Sequence, residues 1–291
     1  MKYDIIIIGA GPGGLTAAIY AKRANLSCAI IEKGAPGGQI INSYSVENYP
    51  GIGQISGVDL AMQMYNQVVS LEVPFIFEEV KKIKDHFVVL TNDGEYEASS
   101  VIIATGQSPK RLHLENEEKM LGRGISFCAI CDGSFYKNKD VIVVGGGNSA
   151  IEESLYLSSI CKNVYVLVRN QLRADELIAK ELKEKENVKI MLNTKPLEYL
   201  FDDSFLGIKT NNGEILASGC FLYVGNVPNT GFVPEEIKDE YGYIITDLHM
   251  ETKIKGLYAV GDCRKKELRQ IVTATSDGAI AASNIKKTLG E

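Results

Sequence analysis

Two cysteines three positions apart have the residue types and spacing most suited to chemistry. Cys128 and Cys131 lie in Phe127-Cys128-Ala129-Ile130-Cys131-Asp132-Gly133, a C-x-x-C. Two thiols at that spacing at a helix N-terminus can close a small disulfide loop, and a lowered pKa makes one of them a thiolate at neutral pH. Asp132 follows at once and can give a proton to a leaving thiolate. The other use of such a pair is half a zinc site, but zinc needs four ligands. There is no second C-x-x-C, and His86, His113 and His249 are scattered. Cys28, Cys161, Cys220 and Cys263 show no ligand spacing, and Cys28 and Cys161 sit in apolar, strand-like contexts that read as core. Without a nucleophile elbow, a His-Glu-x-x-His or a Walker lysine, hydrolase readings have no support.

The second chemical signal is glycine. Tyr3–Ile8 runs into Gly9-Ala10-Gly11-Pro12-Gly13-Gly14 and then a helical pattern. Val141–Val144 runs into Gly145-Gly146-Gly147-Asn148-Ser149-Ala150 and another helical pattern. Each is a β-branched run, a G-x-G-x-x-G/A turn and a helix, which is the context that gives the motif meaning. The first glycine makes the tight turn, the second lets backbone approach a pyrophosphate, and the third lets helix and strand pack closely. The helix N-terminus then offers free N–H groups to phosphate. About 20 residues further on, a carboxylate at the end of the next strand accepts ribose hydroxyls. Glu32, followed by Lys33, is at that place in the first unit and fits an adenosine without a 2′-phosphate. The second unit has Val168 there, with Arg169 and Arg173 close by. Those arginines suit either a phosphate or a solvated basic face.

The elements that must position these groups repeat. After the first unit come short alternating strands with a turn at Asn92-Asp93-Gly94, ending in Ala104-Thr105-Gly106. Residues 188–224 follow the same plan, with a turn at Asn211-Asn212-Gly213 and then Gly225-Asn226-Val227-Pro228. The reading is an α/β chain of two Rossmann-like dinucleotide-binding domains, each a three-layer ββα unit with an inserted β-meander. The last strand and helix, around Val260-Gly261-Asp262, are expected to complete the first domain. This places one discontinuous domain at 1–111 plus 244–291 and a second at 112–243.

Composition sets the outer limits. The 291 residues are 45% hydrophobic and 23% charged, an ordinary globular mixture, and suggest two domains. A net charge of −6 argues against a nucleic-acid groove. No stretch reaches about 18 consecutive apolar residues, so no membrane span is expected. The N-terminal isoleucine run breaks into glycines and reads as a strand rather than a signal peptide. With the sparse cysteines it points to a reducing, cytoplasmic setting.

Taken together, these residues resemble the low-molecular-weight thioredoxin reductases, a branch of the FAD-dependent pyridine nucleotide–disulfide oxidoreductases. The resemblance rests on Gly9–Gly14, PGGQ at Pro36–Gln39, ENYPG at Glu47–Gly51, Ala104–Gly106, Cys128–Gly133, GGGNSAIEE at Gly145–Glu153, VGNVPNT at Val224–Thr230, Ala259–Asp262 and Leu268–Gln270. It implies FAD held by the first and last segments, a middle domain for the nicotinamide that carries the C-x-x-C, and a homodimer. Carried over by position, Gly9, Gly11, Pro12, Gly13, Gly14, Glu32 and Lys33 hold the ADP half of FAD, and Gly38, Gln39 and Asn48 line the flavin side. Thr105 and Gly106 close over the adenine end, and Gly261 and Asp262 meet the ribityl–pyrophosphate portion. Arg269, Gln270 and Ile271 open the last helix, whose amides face the isoalloxazine.

The resemblance further implies that Cys131 faces the flavin, that Cys128 attacks the thioredoxin disulfide and that Asp132 is the proton donor. The middle domain is expected to rotate, with hinges near 110–115 and 240–245. Gly145, Gly147, Asn148, Ser149, Ala150, Arg169 and Arg173 would hold a nucleotide. The chain departs from the family here. NADPH-using members carry a His-Arg-Arg-x-x-x-Arg segment against the 2′-phosphate, and Leu167–Arg173 lacks the histidine and the first arginine. The main expectation is a nicotinamide donor, NADPH, with ferredoxin or flavodoxin as the alternative. The related ferredoxin/flavodoxin–NADP reductases lack the C-x-x-C. A non-catalytic nucleotide-binding or zinc-stapled module is the reading from another class.

Overall fold

The computed structural model describes residues 2–290 except 44, 45 and 47, together with the backbone but not the side chain of Cys131. Glu47 of the ENYPG motif therefore lies outside the described residues. Two compact units are present: Met1–Ser108 with Val227–Glu291, and Pro109–Asn226.

In chain order the elements of the first segment are β1 (Lys2–Ile8), α1 (Pro12–Arg23), β2 (Cys28–Ile31), α2 (Gly57–Ser70), β3 (Phe75–Ile76), β4 (Val80–Lys84), β5 (Val88–Thr91), β6 (Glu95–Ile103) and β7 (Gln107–Pro109). The middle segment holds α3 (Glu117–Met120), β8 (Ile125–Ser126), α4 (Ala129–Asp132), β9 (Asp140–Val144), α5 (Asn148–Ile160), β10 (Asn163–Leu167), α6 (Glu176–Lys183) and β11 (Val188–Met191). It continues through β12 (Pro196–Phe201), β13 (Phe205–Thr210), β14 (Gly213–Leu216) and β15 (Gly219–Leu222). Then come β16 (Asn226–Pro228), β17 (Leu257–Ala259) and α7 (Ile271–Gly290).

In the first unit β3, β2, β1, β6 and β17 form a parallel sheet, and β6 also begins an antiparallel meander with β5 and β4. The isoleucine run of β1 is buried on both sides because side chains alternate along a strand. Ile5 and Ile7 pack with α1, α2 and α7, while Ile6 and Ile8 pack with Val89 of the meander. The second unit repeats this plan. Its parallel sheet runs β11-β10-β9-β15-β8. Val141 and Val143 face α5 and α6, and Ile142 and Val144 face the meander β12-β13-β14.

The chain returns to the first unit after Asn226, earlier than the expected 243/244. The cause is packing: Val233, Ile237 and Ile244 are buried against Ile6, Ile8 and Val101. The segment 240–245, expected as a hinge, thus lies within the first unit, anchored to its core by Ile244. Tyr243 and Ile244 are tied down by backbone hydrogen bonds to Asp239 and Cys263.

Candidate functional site

In the first unit the carboxyl ends of the parallel strands open into a cavity of about 940 Å³. Such ends are where open α/β sheets bind ligands, and this volume is near the top of the roughly 300–1,000 Å³ found for small-molecule sites. Gly9, with φ +107°, turns the chain, and its N–H donates to Ile31 O at 2.8 Å. A Cβ on Gly14 would stand 2.0 Å from Gly9 O, so only glycine lets the helix start this close to the strand. Gly11 is the N-cap of α1 and Pro12 its first residue, with no side chain capping the helix. A Cβ on Gly11 would meet only Gly38 Cα, at 4.0 Å, so this backbone is bare toward the cavity.

Glu32 lines the cavity with both oxygens engaged. Ala10 N–H donates to Oε2 and Gly34 N–H to Oε1, each at 2.8 Å. Its carboxylate therefore shapes the turn as well as offering its remaining lone pairs to a hydroxyl. Lys33, Gly38, Gln39, Asn48, Thr105, Gly106, Gly261, Asp262, Arg269, Gln270 and Ile271 all line the same cavity, as do Gly9, Gly11, Pro12 and Gly13; Gly14 does not, and acts through packing. Asn48 Nδ2 donates to Gln270 Oε1 at 3.2 Å. Burial raises the pKa of the Asp262 carboxyl, while Lys266 and Arg269 pull it down. The Arg269 guanidinium lies 4.3 Å over the Tyr243 ring, and its Nε is buried with no hydrogen-bond partner among the described residues. A buried donor without an acceptor costs free energy, which a ligand acceptor in the cavity removes. The bare glycine turn, the uncapped helix and this orphaned donor fit a dinucleotide such as FAD.

Sequence reasoning missed the residues that brace these loops. Asn229 Nδ2 donates to Thr105 O (2.9 Å), and Thr105 Oγ1 donates to Asn229 O (2.7 Å). Gln107 Nε2 reaches Asp262 Oδ2 at 3.4 Å, and Tyr243 Oη donates to Gln107 Oε1 at 3.3 Å. Asn229 stands in the quoted VGNVPNT run, and Gln107 directly follows Ala104-Thr105-Gly106. Those positions were the only signals.

In the second unit Cys128 is disulfide-bonded. It precedes α4, a single turn, so any help from the helix dipole is small. The expectation that Cys131 faces the flavin lies outside the described residues, because its side chain is not described. Cys128 N–H donates to Ser126 Oγ at 3.0 Å, and Ser126 Oγ donates to Asp132 Oδ2 at 2.6 Å. Asp132 is thereby fixed beside the redox segment by a serine the sequence reading did not single out. Ala129 N–H donates to Tyr223 Oη at 2.7 Å. Burial pushes the Tyr223 hydroxyl well above its ordinary range, with Glu153 and Asp132 adding to the rise. Glu153 is itself raised to about 7, by burial first and then by Glu152.

The second glycine turn is also formed. Gly145 has φ +155°, and a Cβ there would meet Tyr223 O at 2.4 Å and the Ala150 Cβ at 2.8 Å. Gly147 caps α5 with nothing within 4 Å of its absent Cβ. Val168 is buried, and a Cβ on Gly146 would stand 2.8 Å from its Cγ1. The residue at the strand end is therefore a packing residue. The loop behind it closes over the turn: Arg173 N–H donates to Gly146 O at 2.7 Å, and Asp175 N–H donates to Asn148 Oδ1 at 2.9 Å. Arg169, Arg173, Asn148 and Ser149 are exposed, and neither arginine forms an ion pair among the described residues.

Cys28, Cys161, Cys220 and Cys263 are buried free thiols, and burial raises Cys28 and Cys161 to about 11, which keeps them inert. Among the described residues no three His, Cys, Asp or Glu side chains cluster as metal ligands, and no helix is long and apolar enough to cross a membrane.

Comparison with known proteins agrees with this geometry. Residues 3–278 match the model of the family described as pyridine nucleotide-disulphide oxidoreductase. A thioredoxin reductase of Bacillus subtilis is 40% identical over 99% of this chain and 95% of its own length. One of Mycoplasma pneumoniae is 43% identical, again over 99% and 95%. The crystal structure of Lactococcus lactis thioredoxin reductase, 40% identical, superposes with a TM-score of 0.92 over 99% of both chains. The chain belongs to the pyridine nucleotide-disulphide oxidoreductases, in their thioredoxin reductase branch.

Proposed function

We propose that this chain is an FAD-dependent thioredoxin-disulfide reductase with NADPH as its donor. One observation carries the reading: a bonded Cys128 stands in a chain that has both a dinucleotide-sized cavity with a bare glycine turn and a second, exposed glycine turn. When bound, FAD supplies the two-electron chemistry that links a nicotinamide hydride to a disulfide. The residues of the first unit bind and orient it. Gly9–Gly14 and the N-terminus of α1 take the pyrophosphate, Glu32 the ribose, and Arg269–Ile271 the flavin end.

Gly145–Ala150 and the N-terminus of α5 take the donor's pyrophosphate. Arg169 and Arg173 are the cations within reach of a 2′-phosphate, and Val168 places no carboxylate there to repel it. This favours NADPH over NADH. A ferredoxin or flavodoxin donor is not favoured, since it would leave the second turn and both arginines without a ligand.

At the sulfurs, two electrons and two protons convert the Cys128–Cys131 disulfide to a dithiol. The Cys128 thiolate then attacks a sulfur of the thioredoxin disulfide and displaces the other as thiolate. Cys131 attacks the resulting mixed disulfide, which re-forms the intrachain bond and frees reduced thioredoxin. Asp132, held by Ser126, is placed to relay a proton to the leaving sulfur. This chemistry suits a reducing, cytoplasmic compartment. A homodimer is the expected assembly, and Val58, Met62 and Val69 form an exposed apolar stripe on α2 for it.

The test is an anaerobic titration of the purified yellow protein with NADPH, NADH or reduced ferredoxin in turn. Bleaching of the flavin by NADPH, reversed by oxidised thioredoxin, is the expected result. Colourless protein that takes up no FAD, or bleaching by ferredoxin alone, would overturn the reading.

A further inference from the structure

Three of the segments that wall the FAD cavity meet at two adjacent residues of α7, neither of which lines it. Gly278 lets α7 touch the fingerprint helix, since a Cβ there would stand 2.2 Å from Gly13 O and 3.0 Å from Ala17 N. Its neighbour Asp277 is 4% exposed and binds the loop 261–266. Oδ2 accepts from Gly261 N (3.0 Å), Arg264 Nε (2.9 Å) and Lys266 Nζ (2.8 Å), and Oδ1 from Arg264 Nη2 (3.1 Å). Arg264 also donates to Thr246 Oγ1 at 3.1 Å. Both cations are nearly buried, at 16% and 8% exposure.

We propose that Asp277 is a positioning residue for FAD: its carboxylate locks the loop carrying Asp262 against α7, which begins at Ile271 just after Arg269 and Gln270. The inference rests on the FAD reading above. Gly261 has φ +72°, a conformation its tie to Asp277 holds in place, and the next residue, Asp262, faces the cavity. Two nearly buried cations share one buried carboxylate, and that carboxylate alone joins both of them and Gly261 N to α7 among the hydrogen bonds of the described residues. Asn at 277 keeps the shape but turns an amide donor toward a guanidinium and an ammonium, and the network comes apart. A loop free to move presents Asp262 and Arg269 in many positions, and ordering them again on binding lowers affinity.

The experiment uses the full chain freed of FAD and titrated with FAD, following the quenching of flavin fluorescence. Visible circular dichroism of the bound flavin is recorded alongside, as is the melting midpoint of the FAD-free protein. D277N is expected to raise the FAD Kd about 10–100-fold and to alter the flavin dichroism, in line with the effect of second-layer partners on bound groups. K266Q, which leaves Asp277 paired with Arg264 and Gly261, is expected to raise it a few-fold without moving the midpoint. Ile285→Val, a buried change on the same helix, is the control for stability alone. A folded D277N within twofold of the parent Kd would overturn the proposal. So would a parent-like K266Q if D277N does not fold, or an equal rise in I285V at a matched midpoint. Failure of the parent protein to bind FAD would instead sink the functional reading itself, and this inference with it.

Discussion

The glycine turns at Gly9–Gly14 and Gly145–Ala150 share one design and differ in what surrounds them. The first is enclosed: several separated stretches of chain, from Glu32 to Ala274, wall its cavity, and Glu32 is spent partly on the turn's own amides. The second is covered by the loop 168–175, and its arginines stand in solvent. Enclosure slows departure, because many contacts must break together. An exposed turn lets a ligand come and go within a catalytic cycle. On the proposed function, one fold serves as a lasting cofactor mount and as a docking place for a substrate, and the difference lies in the added loops rather than in the motif.

The comparison breaks most sharply at the sulfurs. Cys131→Ser is expected to lower thioredoxin reduction by about 10³-fold or more, while NADPH still bleaches the flavin; steady-state turnover and stopped-flow absorbance read the two separately. Next come the turns themselves. Gly14→Ala drives a Cβ to 2.0 Å from Gly9 O and is expected to yield protein without FAD, seen directly in its absorbance. Gly147→Ala meets nothing within 4 Å, and its φ of −96° suits alanine, so that protein should be yellow, folded and weaker only in its KM for NADPH. Equal loss of FAD in both variants would mean the two turns are not separate in function.

Removing Arg169 and Arg173 together is expected to raise the KM for NADPH by roughly 10–150-fold, the worth of about 1.5–3 kcal/mol of charged hydrogen bonding, with NADH unaffected. Steady-state kinetics with both nucleotides decides it; an equal effect on NADH would make these residues general phosphate contacts.

The smallest effect is on stability. Glu153 has a pKa raised to about 7 in the folded unit, against an ordinary 4.5. The folded state therefore holds the proton more tightly. This contribution is fully present below about pH 4.5 and is lost as pH rises through about 7. Glu153→Gln should match the parent near pH 4 and exceed it above pH 8, by on the order of 2 kcal/mol, in denaturant melts at the two pH values.

Much of this was legible because its signals are local. The strand–turn–helix grammar, the alternation that buries Ile5 to Ile8 on two faces, and the C-x-x-C are all written within a few residues. The return of the chain at 226/227 was not. Residues 229–243 carry no helical or strand period, and it is the burial of Val233 and Ile237 against β1, with the Asn229–Thr105 hydrogen bonds, that assigns them to the first unit. Ser126, Gln107, Asn229 and Asp277 were missed for a related reason. Each acts through hydrogen bonds to loops that lie close in space, and polar residues of these types are also common on ordinary surfaces. Asp277 does have a local oddity, a lone charge in the small-residue run TATSDGAIAA, but its partners lie a loop away.

The discontinuity of the first unit also sets an order of birth. The middle unit is one uninterrupted stretch, so it can fold as soon as it leaves the ribosome. The first unit cannot: its sheet lacks β17, and its helical layer lacks α7, until residues 257–290 are made. During synthesis the buried face formed by Ile5, Ile7 and Ile30 waits without the cover α7 will give it, and no FAD site exists. The redox segment is thus assembled before the cofactor that serves it can be held, and a nascent chain stalled before residue 271 would carry thiols with no source of electrons.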